Sequence, residues 1–262
     1  MLIAKCPFSV QFYGVTTGVD PKKYEGRTFV PYDKGGESDT SEGWLPNYYV
    51  QTEYFINWSK LSVNQLRSRT IADVKRRKKE VNKIRQGDET KIAAYIRNPS
   101  YYFRDGLTFS RTGNYAPTFR LASGSGFDSK SDGLFLIDES QDILTLLGVL
   151  NSTLIRYLTK VFLSHTVQAE GDALLEIPII PIDQRTSKIK DLVKTIVDKQ
   201  KRDPRYPYHM YEQKQLDEFI YQLYGVDDKD VREIKLWYCR RYQRLARSQG
   251  VWDEIEQNDE TD

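Results

Sequence analysis

One run constrains the chain more than any other: "ILTLLGVLNSTLIRYLTKVFL", which begins at Ile143 and is its longest apolar stretch. A segment this apolar is stable only if other elements cover it, so the fold has to be built around it. Asn151, Arg156 and Lys160 interrupt the run, and such residues are costly in a bilayer interior. The run therefore predicts a buried helix over about Ile143–Phe162, with no membrane span. The next apolar segment, "ALLEIPIIPI", ends in Pro178 and Pro181 and reads as a strand.

Beyond Asp183 the pattern becomes helical. Ile189, Leu192, Val193, Ile196 and Val197 recur at helical spacing, as an amphipathic helix requires. Leu216, Phe219, Ile220, Leu223 and Tyr224 repeat that spacing and stop at Gly225, a residue suited to the left-handed position after a helix. Asp227 or Asp228 can cap a last helix through Val231, Ile234 and Tyr238 to about Arg247. Upstream, "NYYVQTEYFINW" and the stretch Tyr101–Ile137 alternate short aromatic runs with polar turns, as strands do. One helix interrupts them: in "RTIADVKRRKKEVNKIRQG", Ile71, Val74, Val81 and Ile84 share a face and Gly87 is the expected stop. The fold class expected is α+β, a mixed, β-rich domain with inserted helices over 1–183, followed by a helical part over 184–262. No internal repeat is visible.

Charge is balanced overall and polarised locally. Lysine and arginine number 39 against 37 acids. Yet Leu61–Gln86 holds nine bases (Arg67, Arg69, Lys75, Arg76, Arg77, Lys78, Lys79, Lys83, Arg85) against Asp73 and Glu80, and Trp252–Asp262 holds six acids and no base. A basic helix beside neutral surroundings suits contact with a polyanion, through release of the counterions held at phosphates. Cys6 and Cys239 are too few for a disulfide framework or a zinc site. The start "MLIAKCPFSVQFYG" lacks the apolar core of a signal peptide. Both points lead to a cytoplasmic expectation.

Three motifs fail as catalytic centres. Asn98-Pro99-Ser100-Tyr101 differs by one residue from Asn-Pro-Pro-Tyr, the loop that holds a flipped base in amino-group DNA methyltransferases. Ser100 removes the rigidity that aims the loop's carbonyls, and no strand with a glycine-rich turn for S-adenosylmethionine precedes it. It reads as a turn. Glu233-Ile234-Lys235 has the spacing of a metal-dependent nuclease, but it lies in a helical pattern, where residues two apart do not face each other. His165 and His209 read as ordinary surface or turn residues, and no phosphate-binding loop is present. The polar turns "SRTGNY" and "SGFDSKSDG" carry short hydrogen-bonding side chains on strand scaffolding, the chemistry of contacts to base edges.

Several stretches then fall into a familiar order: "FVPYDKGGE", "NYYVQTEYFINW", "YYFRDGLTFSRTG", "PTFRLASGSGFDSKSDGLFL", "LLGVLNSTLIRYL", "LEIPIIPI" and "LDEFIYQLYGVDDKDVREI". Together they resemble the C-terminal target-recognition (TaqI-like specificity) region of large adenine-specific DNA methyltransferases, in particular the type IIG restriction-modification enzymes and the PglX-like methyltransferases of BREX phage-defence systems. The resemblance runs from about Tyr13 to Trp237. In that family the catalytic domain lies upstream, and the downstream region closes over the duplex and reads it. The upstream motifs are missing here and Met1 falls close to where a recognition region would start, so the resemblance implies a recognition half.

The expected function is sequence-specific recognition of double-stranded DNA, with 1–183 as the recognition domain and 184–262 as a spacer or interaction region. Arg76, Arg77, Lys78, Lys79, Lys83 and Lys34 are expected on phosphates. Arg111, Thr112, Asn114, Lys130, Arg104 and Arg120 are expected on bases, chosen by side-chain chemistry and loop position. No cofactor is expected in this chain; S-adenosylmethionine belongs to a methyltransferase catalytic partner or upstream domain. Two other readings stay open: a diverged methyltransferase fragment that binds S-adenosylmethionine, and a protein-interaction module.

Overall fold

The computed structural model describes residues 15–16, 29–34, 36–51, 53–60, 63, 101–122, 124–127, 131–137, 141–164, 166–169, 171–181 and 186–259. The expected basic helix lies outside them. The chain divides into two compact units. One comprises Met1–Asp33, Thr52–Arg104 and Gly124–Gly126; the other comprises Lys34–Gln51, Asp105–Ser123 and Phe127–Asp262. The boundary expected at 183 falls inside the second unit. The class is α+β, as the alternation of strand and helix patterns implied.

The first unit is organised by strands β1 (Val15–Thr16), β2 (Phe29–Asp33) and β3 (Phe55–Asn57). With β6 (Gly126–Phe127) they form a sheet of order β1-β3-β2-β6, in which β3 is antiparallel to both neighbours. Tyr32 and Ile56 are buried, with Val30, Tyr54 and Trp58 against them. Edge-on contacts of Trp58 with Tyr102 and Phe103 extend this small core.

The second unit holds the larger core. Strands β4 (Gly106–Ser110), β5 (Phe119–Ala122) and β7 (Ser131–Leu134) make an antiparallel sheet of order β5-β4-β7. Register places Leu107 opposite Leu121 and Phe109 opposite Phe119, so one face of the pleat presents an apolar row. Helices follow: α1 (Ile143–Asn151), α2 (Thr153–Leu158), α3 (Gly171–Leu175), α4 (Ser187–Arg202), α5 (Glu212–Tyr224), α6 (Asp228–Arg241), α7 (Gln243–Ser248) and α8 (Val251–Asp259). Leu147 and Val149 of α1, Ile189, Val193 and Ile196 of α4, and Leu216 and Ile220 of α5 share one core with Phe109 and Phe119.

The long helix expected over Ile143–Phe162 is two helices bent by 59°, followed by a π turn at Thr159–Leu163. The break is made by side chains. Ser152 donates to Val149 O and accepts from Ile155 N, ending one helix and capping the next. Asn151 turns its amide onto β5, accepting from Phe119 N at 3.1 Å and donating to Phe119 O at 2.9 Å. The polar residue that interrupts the apolar run thus closes a strand edge. Among the described residues no single helix is long and apolar enough to cross a membrane.

The "ALLEIPIIPI" strand is absent. Its start forms α3, and residues 176–181 are turn and irregular backbone that belong to no strand. Prolines at 178 and 181 remove two donors, and Tyr224 supplies what a strand would have supplied: its hydroxyl donates to Pro178 O at 2.7 Å and accepts from Ile180 N. Downstream, Gly225 adopts φ 66° at the end of α5 and Asp227 caps α6 by accepting from Asp230 N, both as expected. The expected single last helix breaks at Tyr242, and α7 and α8 carry the chain on to Asp259. The acidic end folds back: Glu254 accepts from Lys214 at 2.7 Å and Lys235 at 2.9 Å.

Candidate functional site

The residues expected to read DNA separate into three groups. Arg76, Arg77, Lys78, Lys79, Lys83 and Lys130 lie outside the described residues. Lys34 is exposed in the second unit, while Arg104 is exposed in the first, its guanidinium 5.6 Å from the Tyr101 ring centroid. Arg111, Thr112 and Asn114 come together on the loop that leaves β4.

That loop is braced from two sides. Its backbone is tied to a second loop: Gly113 N donates to Val167 O at 2.9 Å, and Ala169 N donates to Arg111 O at 2.7 Å. Gly113 has φ 141°, a conformation that side chains disfavour. The second loop is held by Lys160, whose ammonium donates to Thr166 O at 2.8 Å. Burial, with Arg156 and Arg241 nearby, pushes the Lys160 amine down to about 8. Arg111 lies 3.9 Å from Asp132 on β7, a separation too long for a hydrogen bond. Thr112 and Asn114 are exposed at the loop tip. The result is a short polar tip on fixed backbone, able to enter a groove with little loss of conformational entropy.

Arg120 does not belong to this surface. It is 2% exposed, and its guanidinium donates to Ser110 Oγ at 3.1 Å and Ser131 Oγ at 2.8 Å. Register explains the correction: Arg120 stands opposite Thr108 on β4, whose next neighbour across is Gly133 on β7. The long side chain therefore reaches over the central strand to both flanking hydroxyls. It is a structural clamp, with no edge presented to a ligand.

Other expectations are settled by the helices. Glu233-Ile234-Lys235 lies on α6 with Ile234 in the core, and Lys235 is bonded to Glu254. His209, read as a surface or turn residue, is 5% exposed. Among the described residues no cluster of His, Cys, Asp and Glu could hold a metal ion.

A site the sequence did not announce lies among the helices of the second unit. It is a cavity of about 470 Å³ between residues 45–47, α2, α5, α6 and α8. Tyr48, beside it, has φ 66°, a strained conformation for a residue with a side chain. Its hydroxyl donates to Gln213 Oε1 at 2.6 Å. Gln213 Nε2 in turn donates to Asp217 Oδ1 at 3.2 Å, and Thr153 adds N–H and O–H bonds at 2.8 Å. Despite these bonds, burial raises the Asp217 carboxyl to about 6. Burial also depresses His209 to about 4, with Lys214 adding to the effect. The signals were present but bland: Arg156 interrupts an apolar run, and Asp217 follows Leu216 on a helix that buries that side.

Asp217 and His209 give opposite pH dependences. Between about pH 4 and 6 the folded chain protonates Asp217 more readily than the unfolded chain, so acid stabilises the fold. Between about pH 6.5 and 4 the unfolded chain protonates His209 first, so acid destabilises it. At about 1.4 kcal/mol per pH unit each contribution is of order 3 kcal/mol, and the two nearly cancel. Relative to the wild type, Asp217→Asn should lose stability as pH falls from 6 to 4, and His209→Gln should gain it. Urea unfolding across that range tests this; slopes of the same sign in both variants would refute it.

No family model and no curated protein matches the chain.

Proposed function

We propose that the chain is a sequence-specific recognition module for double-stranded DNA, which gives target specificity to an adenine methyltransferase of a restriction-modification or phage-defence system. The observation that carries the reading is the braced loop at Arg111–Asn114: exposed Thr and Asn tips on backbone tied to a second loop. Side chains of this kind hydrogen-bond base edges, and rigid presentation is what discrimination between bases needs. The basic run from Arg67 to Arg85 supports it from the sequence side, since nine cations on one segment suit a phosphate backbone. The resemblance to target-recognition regions supplies the partner: a methyltransferase catalytic domain or subunit that would hold S-adenosylmethionine and flip the base.

In this reading Arg76, Arg77, Lys78 and Lys79 follow phosphates while Thr112 and Asn114, with Arg111 behind them, read bases. Selection from random duplexes at several salt concentrations should enrich one asymmetric motif, with affinity falling steeply as salt rises. Asn114→Ala should relax one position of that motif, at a cost of about 1–3 kcal/mol in discrimination. Reversing charge at Arg76–Lys79 should weaken all sequences alike and flatten the salt dependence. Recovery of no duplex even at low salt would overturn the reading.

A further inference from the structure

Two charged groups of opposite sign that do not pair with each other line the cavity in the helical body of the second unit, Arg156 buried and Asp217 half-buried. Arg156, on α2, is 6% exposed, and its guanidinium donates to Tyr115 O at 2.7 Å. Asp217, on α5, accepts from Thr153 and Gln213. Among the described residues neither forms an ion pair. Of the other charges in the wall, Lys214 and Lys235 share Glu254, and Glu218 is exposed. An unpaired charge in a protein interior carries a large desolvation cost. Here one cavity is lined by two charges of opposite sign without an ionic partner, one buried and one half-buried.

The Asp217 carboxylate, which accepts from Thr153 and Gln213, asks for a compact cationic donor of several N–H bonds, which is what an ammonium group is. The guanidinium asks for a carboxylate, which it matches in geometry and charge. Tyr208, Tyr221, Tyr238 and Val231 add apolar wall. The volume, about 470 Å³, lies in the range of small-molecule sites.

We propose that this cavity binds a free α-amino acid with an apolar or aromatic side chain, its carboxylate on Arg156 and its ammonium on Asp217. A zwitterion satisfies both charges without adding net charge. An anion such as phosphate would meet Asp217, and a simple amine would meet Arg156. The network Tyr48–Gln213–Asp217–Thr153 fixes the ammonium pole before the ligand arrives, which lowers the cost of binding. The proposal is independent of the DNA reading, and either can fail alone.

The test is calorimetric titration of the full chain with each of the twenty L-amino acids. One or more apolar or aromatic members should bind, and L-phenylalanine serves as the probe for the poles. Phenethylamine, which lacks the carboxylate, and 3-phenylpropionate, which lacks the ammonium, should each bind at least tenfold more weakly than L-phenylalanine. Asp217→Asn should weaken L-phenylalanine at least tenfold and leave 3-phenylpropionate unchanged; Arg156→Lys should weaken L-phenylalanine and leave phenethylamine unchanged. These paired readouts separate a lost pole from a lost fold, because a misfolded variant would lose all three probes. Absence of heat with all twenty amino acids at millimolar concentration, or equal binding of an analogue lacking one charge, would overturn the proposal.

Discussion

Replacing Gly148 with alanine will lower the unfolding midpoint of the protein by several degrees, although alanine is the better helix former. Gly148 lies in α1 where that helix crosses α4. A Cβ at this position would overlap Ile189 Cγ2, lie 2.8 Å from Val193 Cγ2 and stand 3.3 Å from Leu216 Cδ1. All three neighbours are 0% exposed, so none can swing into solvent. Two effects compete. Alanine in place of an interior helical glycine gains about 1 kcal/mol. Forcing one carbon into a closed contact among three buried side chains, on two different helices, costs about 1–3 kcal/mol and more where the backbone has to move. The contact wins, because relief requires α1 to separate from α4 in a part of the core that is closed to solvent. With the cost at the upper end of that range, the net loss of about 2 kcal/mol corresponds to roughly 4–8 °C in a domain of this size. Thermal unfolding followed by circular dichroism reads it directly. The coupled variant Gly148→Ala with Ile189→Ala should lose less than the sum of the two single losses, since Ile189→Ala removes the overlapping methyl. An unchanged or raised midpoint in Gly148→Ala would mean that the two helices separate without cost.

Close approach at Gly148 also marks what the sequence can and cannot convey. The periodicity of Ile189, Leu192, Val193, Ile196 and Val197 was enough to place α4, because an apolar stripe on an otherwise charged segment has one stable use. Gly225 and Asp227 were legible for the same local reason: each meets a backbone requirement of the helix it ends or begins. Misreadings arose where a distant residue supplied the missing partner. "ALLEIPIIPI" has strand composition, yet its backbone is served by the hydroxyl of Tyr224, some 44 residues on. The apolar run at Ile143 was read as one helix because Asn151 and Ser152 look like isolated polar interruptions. Their function as a strand clip and a helix junction depends on Phe119 and Ile155. The cavity was the least legible feature. Its wall joins Asn47, Arg156, His209 and Asp217, which are far apart in the chain and ordinary one at a time. Reading Arg120 as a surface cation failed in the same way, and that residue provides the sharpest separation between structure and recognition.

Arg120→Met will destabilise the second unit by about 2–4 kcal/mol, whereas Asn114→Ala will change stability by less than about 0.5 kcal/mol. Methionine fills much of the same volume, so the loss comes from the polar partners. Arg120 donates to Ser110 Oγ on β4, Ser131 Oγ on β7 and Thr118 O. Removing the guanidinium leaves a buried serine, 1% exposed at position 131, short of its donor, and each such stranded group costs about 1–3 kcal/mol. An opposing term exists: removal also relieves the desolvation of a buried charge, which can favour an apolar substitute when all its partners are replaced together. Here the partners remain, so desolvated hydroxyls outweigh that relief. Arg120→Lys should not rescue, because a single ammonium cannot span from β4 to β7 as the planar fork does. Arg120→Met combined with Ser131→Ala should recover part of the loss by removing that serine hydroxyl, while Ser110 keeps the hydrogen bond it accepts from Thr118 Oγ1 at 2.9 Å. Urea unfolding gives the stabilities, and titration with the selected duplex gives the affinities. Asn114→Ala should retain the fold and lose discrimination; the double variant should regain stability and keep discrimination. A stable Arg120→Met protein that binds DNA more weakly would return Arg120 to the recognition surface, and the clamp assigned to it across β4 would be wrong.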